Sequence, residues 1–196
     1  MPGAVDADAA TAIAETRAWV ERVVIGLNLC PFAKAPQVKG QVRYVASRAV
    51  DAAELLTDLV AELHRLAEAP AELIETTLLV HPHALNDFDD YNDFLDVADA
   101  ALAELELEGV LQVASFHPEY RFADSEPDDL ANATNRSPYP TLHLLREDSI
   151  DRAVAAFPEA EAIFEANIET MEELGAEGLA RLQQQCRDDA ASGKGG

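Results

Sequence analysis

Two short apolar runs in this chain end in the same dipeptide: Leu78-Leu79-Val80-His81-Pro82 and Ala114-Ser115-Phe116-His117-Pro118. Each is rich in β-favouring residues and follows a segment with helical spacing of its apolar positions. Each therefore reads as a buried strand stopped by His-Pro. Proline has no N–H to give a ladder and holds the preceding residue extended, so the pair is a natural strand end. A third β-branched and aromatic run, Val42–Ala46, precedes both. Strands that alternate with helices build a parallel sheet with right-handed crossovers. Both His-Pro pairs are then expected on one edge of one sheet.

The segments between support this. Residues 10–27 carry the stripe Ile13, Val20, Val23, Val24 and Leu27, ended by Gly26 and Pro31. Asp51-Ala52-Ala53-Glu54 resembles a capping box ahead of Leu55, Leu59, Leu63 and Leu66. Asn86 and Asp87 precede the stripe Phe88, Tyr91, Leu95, Ala98, Leu102 and Leu105. Strands are predicted at 42–46, 74–80, 110–116 and 142–145, the last antiparallel because no helix separates it from the third. Ser149 begins a short helix, Pro158 the next, and Gly175 ends it. A last amphipathic piece holds Leu179 and Leu182. The expected fold is α/β, with α+β an alternative: a mixed, mainly parallel sheet of about four strands in a β-α-β-α-β-β core. Residues 1–9 read as a flexible start, 10–188 as one α/β domain and 189–196 as a disordered tail.

The 196 residues carry a net charge of −23. That argues against binding to nucleic acid or an anionic membrane surface. No run approaches the ~20 apolar residues of a membrane span, and the first ten residues hold no Lys or Arg. Cys30 and Cys186 match neither a zinc spacing nor a disulfide framework, so the cytoplasm is the expected compartment. Acids are absent between Glu21 and Asp51, a window that holds Arg22, Lys34, Lys39, Arg43 and Arg48. A second such window, 130–146, holds Arg136, His143 and Arg146. Such windows either face an anion or pair internally with carboxylates.

Ligands in open α/β sheets gather at the carboxyl ends of the strands. Those ends deliver Ser47 and Arg48, then His81 and His83, then His117, Tyr120 and Arg121. An antiparallel fourth strand adds Asn135, Arg136, Tyr139 and His143. An Arg136 fork in a loop stiffened by Pro138 and Pro140 suits bidentate binding of a carboxylate or phosphate. The alternative is that it pins the long segment 121–140. Imidazole is the group most readily poised for proton transfer near neutral pH. His117 is either such a group or a strand terminator bonded to loop backbone. His143 faces away from Leu142 and Leu144, toward the rim or toward solvent. Cys30 lies near the opposite edge and reads as a packing thiol, with an activated nucleophile as the alternative.

Several blocks resemble a bacterial domain-of-unknown-function family of single-domain proteins (DUF 1415). They are Leu29-Cys30-Pro31-Phe32-Ala33, Asp90-Tyr91-Asn92-Asp93-Phe94-Leu95 and Gln112-Val113-Ala114-Ser115-Phe116-His117-Pro118. Tyr120-x-Phe122-Ala123, Thr134-Asn135-Arg136-Ser137-Pro138-Tyr139-Pro140 and Leu142-His143-Leu144-Leu145-Arg146-Glu147 complete the set. The resemblance covers roughly residues 10–180 and implies no established activity or cofactor.

The leading expectation is an enzyme for an anionic small molecule at this rim. His117 and His143 would act as acid and base, and Arg136 and Arg121 as the anion clamp, with Asn135, Tyr139 and Tyr120 lining the site. A second reading places a metal on His81, His83 and His117, or on His81, His117 and His143. A third is a non-enzymatic adaptor or oligomer. Without a Gly-rich phosphate loop or a Gly-x-Ser-x-Gly elbow, the sequence names no cofactor.

Overall fold

A computed structural model describes residues 4–157 and 162–193. Four strands form one sheet: β1 (Val42–Ala46), β2 (Thr76–Val80), β3 (Leu111–Phe116) and β4 (Thr141–Arg146). Their order across the sheet is β1-β2-β4-β3. β1 and β2 are parallel, and β4 runs antiparallel to both β2 and β3. The mixed α/β architecture and the antiparallel fourth strand are as the sequence predicts. However, β4 inserts between β2 and β3, so the sheet is not mainly parallel: among the described residues one strand pair is parallel and two are antiparallel.

Helices α3 (Ala52–Glu68) and α4 (Phe88–Glu104) follow β1 and β2, and α1 (Ala4–Trp19) precedes the sheet. The start of α3 is fixed by Asp51, whose carboxylate accepts the Glu54 N–H, while Glu54 accepts the Val50 N–H. Asp87 caps α4 by accepting from the N–H groups of Asp89 and Asp90. The α3 stripe Leu55, Leu59, Leu63 and Leu66 is fully buried. Each such leucine is worth about 2 kcal/mol of apolar transfer. With Tyr91, Phe94 and Ala98 of α4 it packs on Leu79, Leu111, Leu142 and Leu144. That is one face of the sheet. Trp19, Val23, Leu29, Met171 and Cys186 pack on Leu78 at the other.

That second face is covered unevenly. α1 continues into a π-helical turn, Val20–Ile25, and a short helix α2 (Lys34–Val38) leads into β1. At Gly26, just past the π turn, a Cβ would collide with the Arg22 carbonyl oxygen, so only glycine fits. α5 (Glu147–Ala156) begins where β4 stops, and α6 (Ile163–Ser192) lies against α1. α6 breaks at Gly175, whose φ of 66° suits glycine, at the predicted position. The predicted helix start at Pro158 lies outside the described residues, as do the first three and last three residues. α1 begins at Ala4 and α6 ends at Ser192.

Candidate functional site

The strand ends converge as predicted. Ala46 is the register partner of Val80, Val80 of Thr141, and Phe116 of Thr141. His81 and His117 therefore sit on one rim, both fully buried, with their rings 5.7 and 5.0 Å from that of Tyr91. Their hydrogen bonds are to loop backbone. His117 Nδ1 accepts the Glu119 N–H at 3.0 Å, so its proton lies on Nε2, which donates to Leu85 O at 3.2 Å. Leu85 holds a left-handed φ of 55° to present that carbonyl. His81 Nδ1 donates to Ala84 O at 2.9 Å, which leaves Nε2 buried without a partner. Burial pushes His117 below the ordinary imidazole range and His81 down to about 4. Both rings are neutral clips that hold the loops after β2 and β3.

The other rim residues are engaged in the same way. Arg136 donates to the carbonyls of Tyr120 at 3.1 Å and Pro127 at 2.7 Å, pinning the long segment. Asn135 donates to Ser115 O and accepts the His117 N–H. Tyr139 donates to Glu15 on α1 at 2.8 Å, and Tyr120 packs against Phe88 and Phe122. Arg121 lies over Phe88 and pairs with Asp89 at 2.7 Å. A cavity of about 350 Å3 remains, bounded by Arg121 and Arg136 but also by Asp87, Asp89 and Glu119. Three carboxylates beside two occupied guanidiniums make a poor anion clamp.

His143 corrects the expected site most. It sits mid-strand, paired with Leu78 and Ala114, on the face opposite Leu142 and Leu144. His117 lies against Phe88 and Tyr91 on the α4 side, so the sheet separates the two imidazoles. The period-two reading that turns His143 away from the leucines is right, but the turned side is a sheet face and not the rim. His83 also leaves the rim, pairing with Asp8 of α1 at 2.9 Å. Among the described residues no three His, Cys, Asp or Glu side chains are grouped to hold a metal ion.

The larger cavity lies on that second face. A groove of about 810 Å3 has a floor of Val42, Leu78, Ala114, Phe116, Leu145, Thr76 and His143. Its walls are Trp19, Val20 and Val24, the segment 30–33, and Ile150 and Ala153 of α5. Trp19 and Phe116 meet edge to face at 5.2 Å, and Phe32 meets Phe157 at 6.0 Å. The lining is mostly apolar. Its charged members are Lys39, Glu72 and Glu75 ahead of β1 and β2, Arg146 at the carboxyl end of β4, and Arg152 of α5. Arg146 is itself engaged with the carbonyls of Leu66, Ala69 and Ile74. In the centre of the floor, His143 Nε2 lies 2.7 Å from Thr76 Oγ1. Burial pushes this imidazole down to about 4, so it is neutral at pH 7.

Cys30 is half-buried in the groove wall, its thiol raised by burial against the smaller opposing effect of the Phe32 and Ala33 amides. That is the chemistry of a packing thiol. The acid-free window around it divides: Arg22 pairs with Asp189 and Arg43 forks onto Glu62, whereas Lys39 reaches the groove. Sequence reasoning missed the groove and Thr76. The available signal was alternation: Gln112, Ala114 and Phe116 on β3 and His143 and Leu145 on β4 share one face.

Among the described residues no helix is long and apolar enough to cross a membrane. Neither a curated protein nor a solved structure matches the chain. One family does, over residues 11–181, a span that takes in both the groove and the rim. The chain belongs to that family, described as "Protein of unknown function (DUF1415)".

Proposed function

We propose that the protein binds a small amphipathic anion, its apolar body laid along the groove and its charged head at the end bounded by Lys39 and Arg152. His143 is the polar group presented to the body of that ligand. The observation that carries this reading is the groove itself: about 810 Å3, mostly apolar, with the hydrogen-bonded Thr76–His143 pair in its floor. That volume falls within the roughly 300–1,000 Å3 of small-molecule sites, which combine apolar walls with few polar groups. Lys39 and Arg152 are the cations for the head; Arg146, though engaged with three carbonyls, keeps its positive charge, so the groove's charged lining is net positive against Glu72 and Glu75 in a chain that is otherwise strongly acidic. The anionic ligand expected from the sequence is thereby kept, but on the sheet face instead of the rim. Free thiols at Cys30 and Cys186 suit a reducing compartment, and the cytoplasm is the proposed location.

The test uses two dyes with one body: 1-anilinonaphthalene-8-sulfonate and N-phenyl-1-naphthylamine, which lacks the sulfonate. Both should bind the native protein one to one, the sulfonate more tightly. Ala114→Trp, which fills the floor, should abolish both, and Lys39→Glu with Arg152→Glu should remove only the preference. No saturable binding, or binding indifferent to Ala114→Trp, would overturn the proposal. A dimer on light scattering that dissociates in Ala114→Trp would make the groove a protein interface instead.

A further inference from the structure

Thr76 fixes where the proton of His143 resides. Its Oγ1 lies 2.7 Å from Leu144 O and 2.7 Å from His143 Nε2. A carbonyl oxygen can only accept, so the single hydroxyl proton goes to Leu144. The contact with the imidazole then requires a proton on Nε2, donated to Oγ1. In a neutral ring this leaves Nδ1 with its lone pair and no proton. The side-chain hydrogen bond of His143 among the described residues runs through Nε2. The half-buried ring lines the groove, and no hydrogen bond from the described residues engages Nδ1.

We propose that Nδ1 of His143 is a dedicated acceptor for a ligand O–H or N–H, and that Thr76 is the positioning residue that sets the tautomer. The groove would therefore select amphipathic ligands that carry a hydrogen-bond donor on the apolar body. This rests on the groove being the ligand site. A ligand without the donor strips Nδ1 of water and returns nothing, whereas a ligand with it gains one hydrogen bond in apolar surroundings. Leu78, Ala114 and Phe116 flank the ring and offer no donor side chain, and no hydrogen bond joins Nδ1 to the other donors that line the groove, Gln112 and the Trp19 indole N–H, which is buried without a partner. Thr76 lies on a buried strand, where valine has the same shape and a β-favouring branch. Thr76→Val thus removes the hydroxyl while keeping the packing.

Two measurements test this separately. In protein labelled with 15N-histidine, long-range 1H–15N correlation should show His143 as the Nε2–H tautomer in the wild type and a mixture in Thr76→Val. An Nδ1–H or doubly protonated ring in the wild type at pH 7 would overturn the proposal whatever the groove binds. The second measurement titrates indole against benzofuran, which exchanges the N–H for an ether oxygen. Both should shift Leu78 and Ala114, but only indole should move the Nδ1 resonance and bind about tenfold more tightly. Thr76→Val should narrow that ratio, with its melting temperature confirming that it is folded. Equal affinities in the wild type would overturn the donor requirement. If neither compound perturbs Leu78 or Ala114, the groove reading itself fails and the ligand claim falls with it.

Discussion

The hydroxyl of Tyr91 stands between two register partners, Phe116 and Thr141, and completes the ladder that joins them. It accepts the Phe116 N–H at 3.1 Å and donates to Thr141 O at 2.8 Å. A side chain on α4 thereby closes the end of the β3–β4 pair from inside the core. Tyr91→Phe keeps the ring and leaves both backbone groups without their shared partner. The expected cost is about 1–3 kcal/mol, read as a lower urea midpoint with unchanged slope. Faster exchange of the Phe116 amide should accompany it. An unchanged midpoint would mean that the strand ends close directly.

Acid should destabilise the fold through His81. Its pKa is about 4 in the folded protein, against an ordinary 6.5. Between those values the unfolded chain holds the more protons, so stability declines as pH falls from 6.5 towards 4 and levels off below. The loss is on the order of 3 kcal/mol. The chain also carries 37 carboxylates, so the comparison is with His81→Gln, which retains every one of them. The stability difference between wild type and variant should slope across that window. A flat difference would contradict a depressed His81.

Arg136 is expected to matter for order and not for binding. Its two carbonyl contacts need a planar fork, which lysine lacks. Arg136→Lys and Arg136→Ala should therefore lose similar stability, about 1–2 kcal/mol, with faster hydrogen exchange across 121–135. Affinity for anilinonaphthalenesulfonate should stay unchanged. A tenfold loss in Arg136→Ala, with the lysine variant intact, would return the anion site to the rim.

Alkylation offers a chemical view of the groove. Cys30 lies in its wall, whereas Cys186 is buried and pushed up to about 11, chiefly by that burial. Iodoacetamide at pH 8 should modify Cys30 first, slowly for a thiol, as peptide mass spectrometry would show. Saturating N-phenyl-1-naphthylamine should slow that reaction severalfold. Protection of neither cysteine would place the dye elsewhere.

What was legible in the sequence was local or topological. Asp51 and Asp87 announce helix starts by chemistry confined to one turn, and period-two runs place the strands. The convergence of His81 and His117 follows from strand direction alone. Whether a polar group at that rim is free depends on carbonyls that no pattern encodes: Tyr120 and Pro127 for Arg136, Leu85 for His117. The groove was hidden for a related reason. It exists because α1 and α5 leave part of one face uncovered, a property of helix placement rather than of any residue. Tyr91 was hidden inside its own stripe, where its ring fits the apolar pattern and its hydroxyl makes the difference.

The π turn Val20–Ile25 bears on how relatives of this chain can vary in length. The Gly26 amide reaches back five residues to Glu21, and the Leu29 amide five to Val24. Such a turn holds one residue more than a regular helix. Deletion of a single residue there can be absorbed by a return to ordinary winding, which keeps the segment downstream in phase, whereas the same deletion in the regular part of α1 rotates everything beyond it by about 100° about the helix axis. The part of the groove wall formed by Cys30 and Phe32 should therefore tolerate loss of one codon in the π turn better than loss of one earlier in the helix.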